Sequence, residues 1–144
     1  MGGCAVKKRF SYGVSGKLVR DKSLDIVMAE DGTAQVSYRY LTGDKLQEQL
    51  LAKLLEEARE VCEAKNQAEL TGELADVLQV IEAIKKHNGI TQDDLDIAIK
   101  KKYDLRGGFD KGLFIEWAEI GPCRLYNYFS AHPDQYPELP SDVV

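Results

Sequence analysis

Two long runs of apolar residues at helical spacing lie next to each other between residues 44 and 88. Apolar side chains three or four residues apart share one face of an α-helix. The first run consists of Leu46, Leu50, Leu54, Ala58 and Val61, and the second of Leu70, Leu74, Val77, Leu78, Ile81 and Ile84. Because few residues separate the runs, the two helices are expected to pack antiparallel. The pattern predicts an all-α fold built as an antiparallel helical bundle.

Capping signals give the expected ends of these helices. A residue that can accept a hydrogen bond, followed three residues later by an acid or amide, is typical of a helix start. Three such pairs occur, Asp44/Gln47, Asn66/Glu69 and Thr91/Asp94. Asn88-Gly89 is typical of a helix end. We predict helices over about residues 21–29, 44–65, 66–88, 91–103 and 124–130, and a short strand or extended segment over 33–41.

Composition excludes several classes of protein. The formal net charge of −5 and pI of about 5.1 argue against general nucleic-acid binding, which needs a basic surface. The three cysteines are far apart and form no C-x-x-C pair, so neither a disulfide framework nor a zinc site is expected. No apolar run approaches the roughly 20 residues of a membrane span, and no secretory signal is evident. We therefore expect a cytoplasmic protein without nucleic-acid or membrane partners.

Two pairs of acids on the long helices are candidate metal ligands. Glu57 and Glu60 are three residues apart on the first helix, and Glu73 and Asp76 repeat this spacing on the second. Residues at that spacing share a face, so an antiparallel pair can turn all four toward one cleft. Their repulsion would be offset by a hard cation that prefers oxygen ligands, Mg²⁺ or Mn²⁺. The alternative is an ordinary solvated helix face, although both pairs adjoin the apolar runs.

Basic residues flank the predicted helix pair on both sides. They are Lys17, Arg20 and Lys22 before it, and Lys102, Arg106 and Lys111 after it. Lysine and arginine beside a metal site suit phosphate oxygens. A solvated basic surface is the alternative. Arg106 precedes Gly107-Gly108, where the backbone could approach a ligand closely or form a tight turn without one.

The order and spacing of these residues resemble a known family. Glu56-Glu57-x-x-Glu60 followed by Glu73-x-x-Asp76 resembles the signature of the MazG-related all-α NTP pyrophosphohydrolases. Further similar stretches are KLVRDK at 17–22, KLLEEAREV at 53–61 and RGGFDKG at 106–112. They are similar to the compact house-cleaning branch, which includes relatives of phosphoribosyl-ATP pyrophosphohydrolase. The resemblance covers about residues 17–116, which leaves residues 1–16 as a predicted flexible lead and 117–144 as a C-terminal extension.

The resemblance implies an Mg²⁺-dependent enzyme, with Mn²⁺ as a substitute, that is a homodimer or homotetramer. Such enzymes cleave nucleoside triphosphates between the α and β phosphorus atoms and release a monophosphate and pyrophosphate. Ser23-Leu24 stands where the branch commonly has Ile-Pro. Two alternatives stay open: hydrolysis of another pyrophosphate bond, as in phosphoribosyl-ATP, and a non-catalytic helical module that senses nucleotides or binds a partner.

The same resemblance assigns roles to single residues. The implied metal ligands are Glu57, Glu60, Glu73 and Asp76. Glu56 and Glu57 are the candidate catalytic acids, and Glu56 would orient or deprotonate the attacking water. The implied contacts to the phosphate chain are Lys102 and Arg106, with Lys17, Arg20, Lys22 and Lys111 as further candidates.

Overall fold

The computed structural model describes residues 6–140, which form five helices and no strand. The all-α prediction is confirmed. Residues 34–41 have no regular secondary structure, so the predicted strand over 33–41 is not formed. The predicted flexible lead lies partly outside the described residues, and the predicted domain limits stay predictions. The helices are α1 (Ser23–Glu30), α2 (Gly43–Glu63), α3 (Gln67–Asn88), α4 (Gln92–Arg106) and α5 (Arg124–Ala131).

Helices α2 and α3 form an antiparallel hairpin, which is the main packing unit among the described residues. Three residues, 64–66, join them. At the open end of the hairpin, the Asn88 side chain at the end of α3 donates a hydrogen bond to Gln47 near the start of α2, with an N–O distance of 2.9 Å. The predicted antiparallel arrangement is therefore present.

Two of the three predicted capping pairs act as caps. Asn66 accepts a hydrogen bond from the backbone N–H of Glu69 at 2.9 Å, and Thr91 accepts one from Asp94 at 3.1 Å. The predicted pair at Asp44 is wrong. The N-cap of α2 is Thr42, which makes no side-chain cap bond, so Asp44 lies inside the first turn. There its negative charge interacts favourably with the positive end of the helix dipole.

The end of α3 follows from Gly89. This residue adopts the left-handed conformation with φ 66°, which glycine reaches without the steric penalty of a Cβ. Its backbone N–H donates to the carbonyl oxygens of Lys85 and Lys86, so these carbonyls of the last turn have a partner before α4 begins. The predicted stop at Asn88-Gly89 is confirmed.

The hairpin leaves much of its apolar surface open. Over residues 6–140, Leu50 is the only buried apolar side chain, and the other two buried residues are charged, Glu57 and Lys85. Leu55 and Leu78, which belong to the same helices, are 69% and 62% exposed. Apolar surface of this extent is typical of an interaction surface.

The contacts divide the chain into two compact units, one up to Lys100 and one from Lys101. The first unit holds the hairpin, α1 and most of α4. In the second, α4 ends at Arg106, three residues beyond the predicted end, and α5 agrees with the predicted helix. Phe129 and Tyr136 stack with ring centres 4.1 Å apart beside this helix. No helix of the described part of the chain is long and apolar enough to cross a membrane.

Candidate metal centre

Three carboxylates from α2 and α3 converge at one place on the hairpin. Glu57 and Glu60 come from α2 and Glu73 from α3, and each offers an oxygen within 4.8 Å of the others. The spacing of three residues puts the two α2 acids on one face, and the antiparallel partner brings Glu73 across from them. The structure thus brings together three of the four acids that the sequence suggests as metal ligands.

Glu57 is the most informative member of this cluster. The residue is 4% exposed, and its Oε1 accepts from the ammonium of Lys53 at 2.6 Å. Its second oxygen, Oε2, is buried and has no hydrogen-bond partner in the described part of the chain. Leaving a buried carboxylate oxygen without a partner is costly. The acids present therefore fit a divalent cation, which would supply the missing partner.

Electrostatic repulsion within the cluster is visible at Glu60. Partial burial raises the pKa of its carboxyl above the usual value, and the charges of Glu57 and Glu73 raise it further. Acids that share a site disfavour one another's ionised forms. A cation bound among them would reverse this effect, because it favours all the ionised forms together.

The fourth predicted ligand, Asp76, is engaged differently. Its Oδ1 forms an ion pair with Nη2 of Arg20, and the other terminal nitrogen of Arg20 donates to Gln79. Asp76 lines the same cleft, but it is outside the convergent group of three. Arg20 provides the positive charge that Asp76 needs in this arrangement.

Glu56 lies beside the cluster and faces two lysines. Its Oε1 accepts from Lys17 at 2.9 Å and from Lys53 at 3.1 Å. These bonds, first the one from Lys17, lower the pKa of the Glu56 carboxyl. Burial alone would lower the pKa of Lys53, but its bonds to Glu57 and Glu56 raise it above the ordinary value. Both partners are therefore charged at neutral pH.

These residues, apart from Glu73 and Gln79, line a cleft of about 280 Å³ in the first unit. The segment 17–20 crosses the hairpin there, because Lys17 is paired with α2 and Arg20 with α3. Lys22, the third predicted phosphate contact of the 17–22 stretch, is the N-cap of α1 and is not among the lining residues. The lining residues are Lys17, Leu18, Val19, Arg20, Ser23, Lys53, Glu56, Glu57, Glu60 and Asp76.

The remaining predicted phosphate contacts belong to the second unit. Lys102 and Arg106 lie on α4, and Lys111 lies in the turn that follows. Their role stays a prediction. The Gly107-Gly108 loop has a local cause: Gly107 has φ 75°, and a Cβ on Gly108 would come within 3.1 Å of the Tyr103 ring. The tight-turn interpretation thus accounts for both glycines without a ligand.

Two residues of this region, Lys53 and Gln79, are absent from the sequence-based set. Lys53 precedes Glu57 by four residues, a spacing that favours an ion pair on a helix, so the sequence does carry a signal for it. Gln79 follows Asp76 by three residues and thus shares its face. Nothing in the local sequence connects it to Arg20, which lies 59 residues away.

The position of the acids on a helical hairpin agrees with the family comparison. The family model described as phosphoribosyl-ATP pyrophosphohydrolase matches residues 27–102, which is more than half of the chain and includes all of α2 and α3. The chain belongs to this family and hence to the MazG-like all-α NTP pyrophosphatase superfamily. The predicted resemblance is confirmed. No curated protein and no solved structure matches the chain.

Proposed function

We propose that the chain is an Mg²⁺-dependent pyrophosphohydrolase that cleaves nucleoside triphosphates between the α and β phosphates. The products would be a nucleoside monophosphate and pyrophosphate, in a nucleotide-pool house-cleaning role. The family is one of pyrophosphohydrolases and is typically dependent on a divalent metal. The observation that carries the proposal is the buried, unpartnered Oε2 of Glu57 inside a group of three acids.

In this proposal the acids hold Mg²⁺, and Mn²⁺ could replace it. Glu57, Glu60 and Glu73 are the first ligands, and Asp76 joins them when Arg20 releases it. When bound, the metal neutralises phosphate charge and polarises the phosphoryl oxygen. Glu56 orients the attacking water or accepts a proton from it. Its lowered pKa keeps the carboxylate ionised as a hydrogen-bond acceptor, which favours orientation of the water, since a lower pKa means a weaker base.

The phosphate chain would be bound by basic side chains, of which Lys17 and Arg20 line the cleft. Lys22 and, from the second unit, Lys102, Arg106 and Lys111 are the further contacts that the family resemblance proposes, without an assigned position relative to the cleft. Charge stabilisation and positioning are most of what phosphoryl-type transfer requires, so a cleft of acids edged by bases suits the reaction.

Phosphoribosyl-ATP is the second candidate substrate. The family match favours it, and its α–β anhydride bond is the same chemical target. The same metal, acids and bases would serve both substrates. What separates them is recognition of the base and sugar.

We also propose that the enzyme is a cytoplasmic homodimer or homotetramer. The exposed apolar side chains of α2 and α3 support this, since a second subunit would bury them. The thiols of Cys62 and Cys123 are free, in keeping with a reducing compartment. A stable monomer in sedimentation at micromolar concentration would contradict the oligomer.

The activity is tested by measuring pyrophosphate release from a panel of nucleoside triphosphates and phosphoribosyl-ATP, with Mg²⁺ and with EDTA. We expect metal-dependent release from at least one of them, and its loss in Glu73→Gln with unchanged helicity. A folded protein that releases no pyrophosphate from any of them would overturn the enzyme and favour a non-catalytic nucleotide-sensing or partner-binding module.

A further inference from the structure

The guanidinium of Arg20 is held by two different residues of α3. Nη2 pairs with the carboxylate of Asp76, and Nη1 donates to the amide oxygen of Gln79. Asp76 and Gln79 are three residues apart and share a helix face. The two contacts hold Arg20 at the edge of the cleft, although its side chain is 58% exposed.

The two contacts differ in charge. The carboxylate of Asp76 compensates the positive charge of the Arg20 guanidinium that it binds. Gln79 is neutral, so its hydrogen bond orients the guanidinium and leaves the positive charge uncompensated. A planar guanidinium presents several donors in fixed directions, so one edge can rest on Gln79 while other N–H groups bind phosphate oxygens.

Asp76 cannot serve Arg20 and a divalent cation equally well. Its carboxylate lines the cleft beside the three-acid group, and hard cations prefer carboxylate oxygens. Once Asp76 is used as a metal ligand, the ion pair with Arg20 is weakened. The amide of Gln79 is then the remaining contact that keeps Arg20 in place.

We propose that Gln79 is a positioning residue that holds Arg20 at the cleft for the phosphate chain while Asp76 is engaged with the metal. This inference rests on the proposed function and on Arg20 as a phosphate contact. Gln79 itself is not among the residues that line the cleft. It acts through Arg20, and its effect should disappear when Arg20 is absent.

The test measures binding of a base-free probe to the full chain. The probe is imidodiphosphate, a P–N–P analogue of pyrophosphate that resists hydrolysis. Its binding in the presence of Mg²⁺ is measured by calorimetry. Gln79→Leu and Gln79→Ala should weaken its binding about 3- to 10-fold, while affinity for Mg²⁺ alone stays unchanged. On the best nucleotide of the panel, KM should rise by the same factor at constant kcat. Gln67→Leu, an exposed glutamine at the start of α3, is the matched control.

A double-mutant cycle separates positioning from a merely structural role. In an Arg20→Met background, Gln79→Leu should change probe affinity less than about 2-fold, because the two residues act as one unit. An equal loss in both backgrounds would overturn the inference, as would wild-type affinity in Gln79→Leu. A wild-type chain that binds no probe and releases no pyrophosphate would instead overturn the proposed function.

Discussion

Two charged side chains are buried in different halves of the α2–α3 hairpin, and their surroundings differ. Near the end of α3, the ammonium of Lys85 donates to Glu82 at 2.6 Å and to Gln92 at the start of α4. In the second half of α2, Glu57 has Lys53 on one oxygen and no described partner on the other. Burial is similar, at 6% and 4% exposure, but Glu57 has a buried oxygen without any described partner, whereas the Lys85 nitrogen has two.

We propose that this difference separates a structural role from a functional one. A buried charge with partners on adjoining elements ties those elements together, and Lys85 ties α3 to α4. A buried oxygen without a partner weakens the fold unless something binds it. The hairpin therefore has one corner, next to α4, that the bonds of Lys85 hold together, and a group farther along it in which one buried oxygen lacks a partner. Variants at Lys85 and Glu57 should respond in opposite ways.

The largest effect is expected for Glu57→Gln. This change keeps the side-chain shape but removes the charge, so Mg²⁺ affinity and turnover should fall at least about 100-fold. Stability of the metal-free protein should be kept or raised, because repulsion of Glu60 is relieved. Calorimetry with Mg²⁺ and thermal unfolding with EDTA measure the two quantities.

Glu63→Gln is the matched control for this change. Glu63 is an exposed acid on the same helix, and its loss should leave Mg²⁺ affinity near that of the wild type. If Glu57→Gln bound Mg²⁺ as tightly as this control does, the group of three acids would not be a metal centre.

The opposite response is expected for Lys85→Met. Methionine keeps an unbranched apolar stem but loses the bonds to Glu82 and Gln92, so the free energy of unfolding should fall by about 1–3 kcal/mol. Turnover of the folded fraction should persist. Urea unfolding beside a pyrophosphate assay measures both, and Lys86→Met controls for loss of a charge near the helix end, since Lys86 is exposed. If Lys85→Met lost activity without losing stability, the proposed difference between Lys85 and Glu57 would be contradicted.

Local signals in the sequence account for the parts of the fold that were predicted well. Asn66 with Glu69, and Thr91 with Asp94, bond within one turn, so spacing alone identifies them. The same is true of the faces that carry Glu57, Glu60 and Glu73. The pair at Asp44 failed because a capping pattern there competes with Thr42, two residues earlier, and the pattern alone does not decide between them.

Contacts between distant segments could not be predicted in this way. Arg20 reaches Asp76 across 56 residues, and whether Asp76 lies within the acid group depends on that pair. The burial of Lys85 depends on where α4 begins against α3. Helical spacing fixes which residues share a face, but it does not fix which side chain from another segment meets them.

A smaller effect is expected for Gly89→Ala, at the corner tied by Lys85. The φ of 66° is unfavourable for alanine, while the added Cβ would meet nothing within 4 Å, so the change tests backbone strain alone. Stability should fall by about 1 kcal/mol. Gly72→Ala is the matched control inside α3, where Cβ also has open space, and it should be neutral or stabilising by up to about 1 kcal/mol. Urea unfolding measures both variants. An equal change in the free energy of unfolding of the two would contradict the strain argument.

The smallest effect concerns acid stability at the same corner. Hydrogen bonds from the hydroxyl and backbone N–H of Thr91 lower the pKa of Asp94 below its usual value of 3.8. Because the folded state favours the ionised form, this stabilisation is fully present above pH 3.8 and is lost as pH falls through the lowered pKa. Unfolding measured from pH 6 to pH 2 should therefore show a slightly weaker loss of stability with acid in Asp94→Asn. Thr91→Val removes the hydroxyl from the other side and should reduce the same part of the pH dependence. If both variants lost stability between pH 6 and pH 2 as the wild type does, the cap would not stabilise this corner through the charge of Asp94.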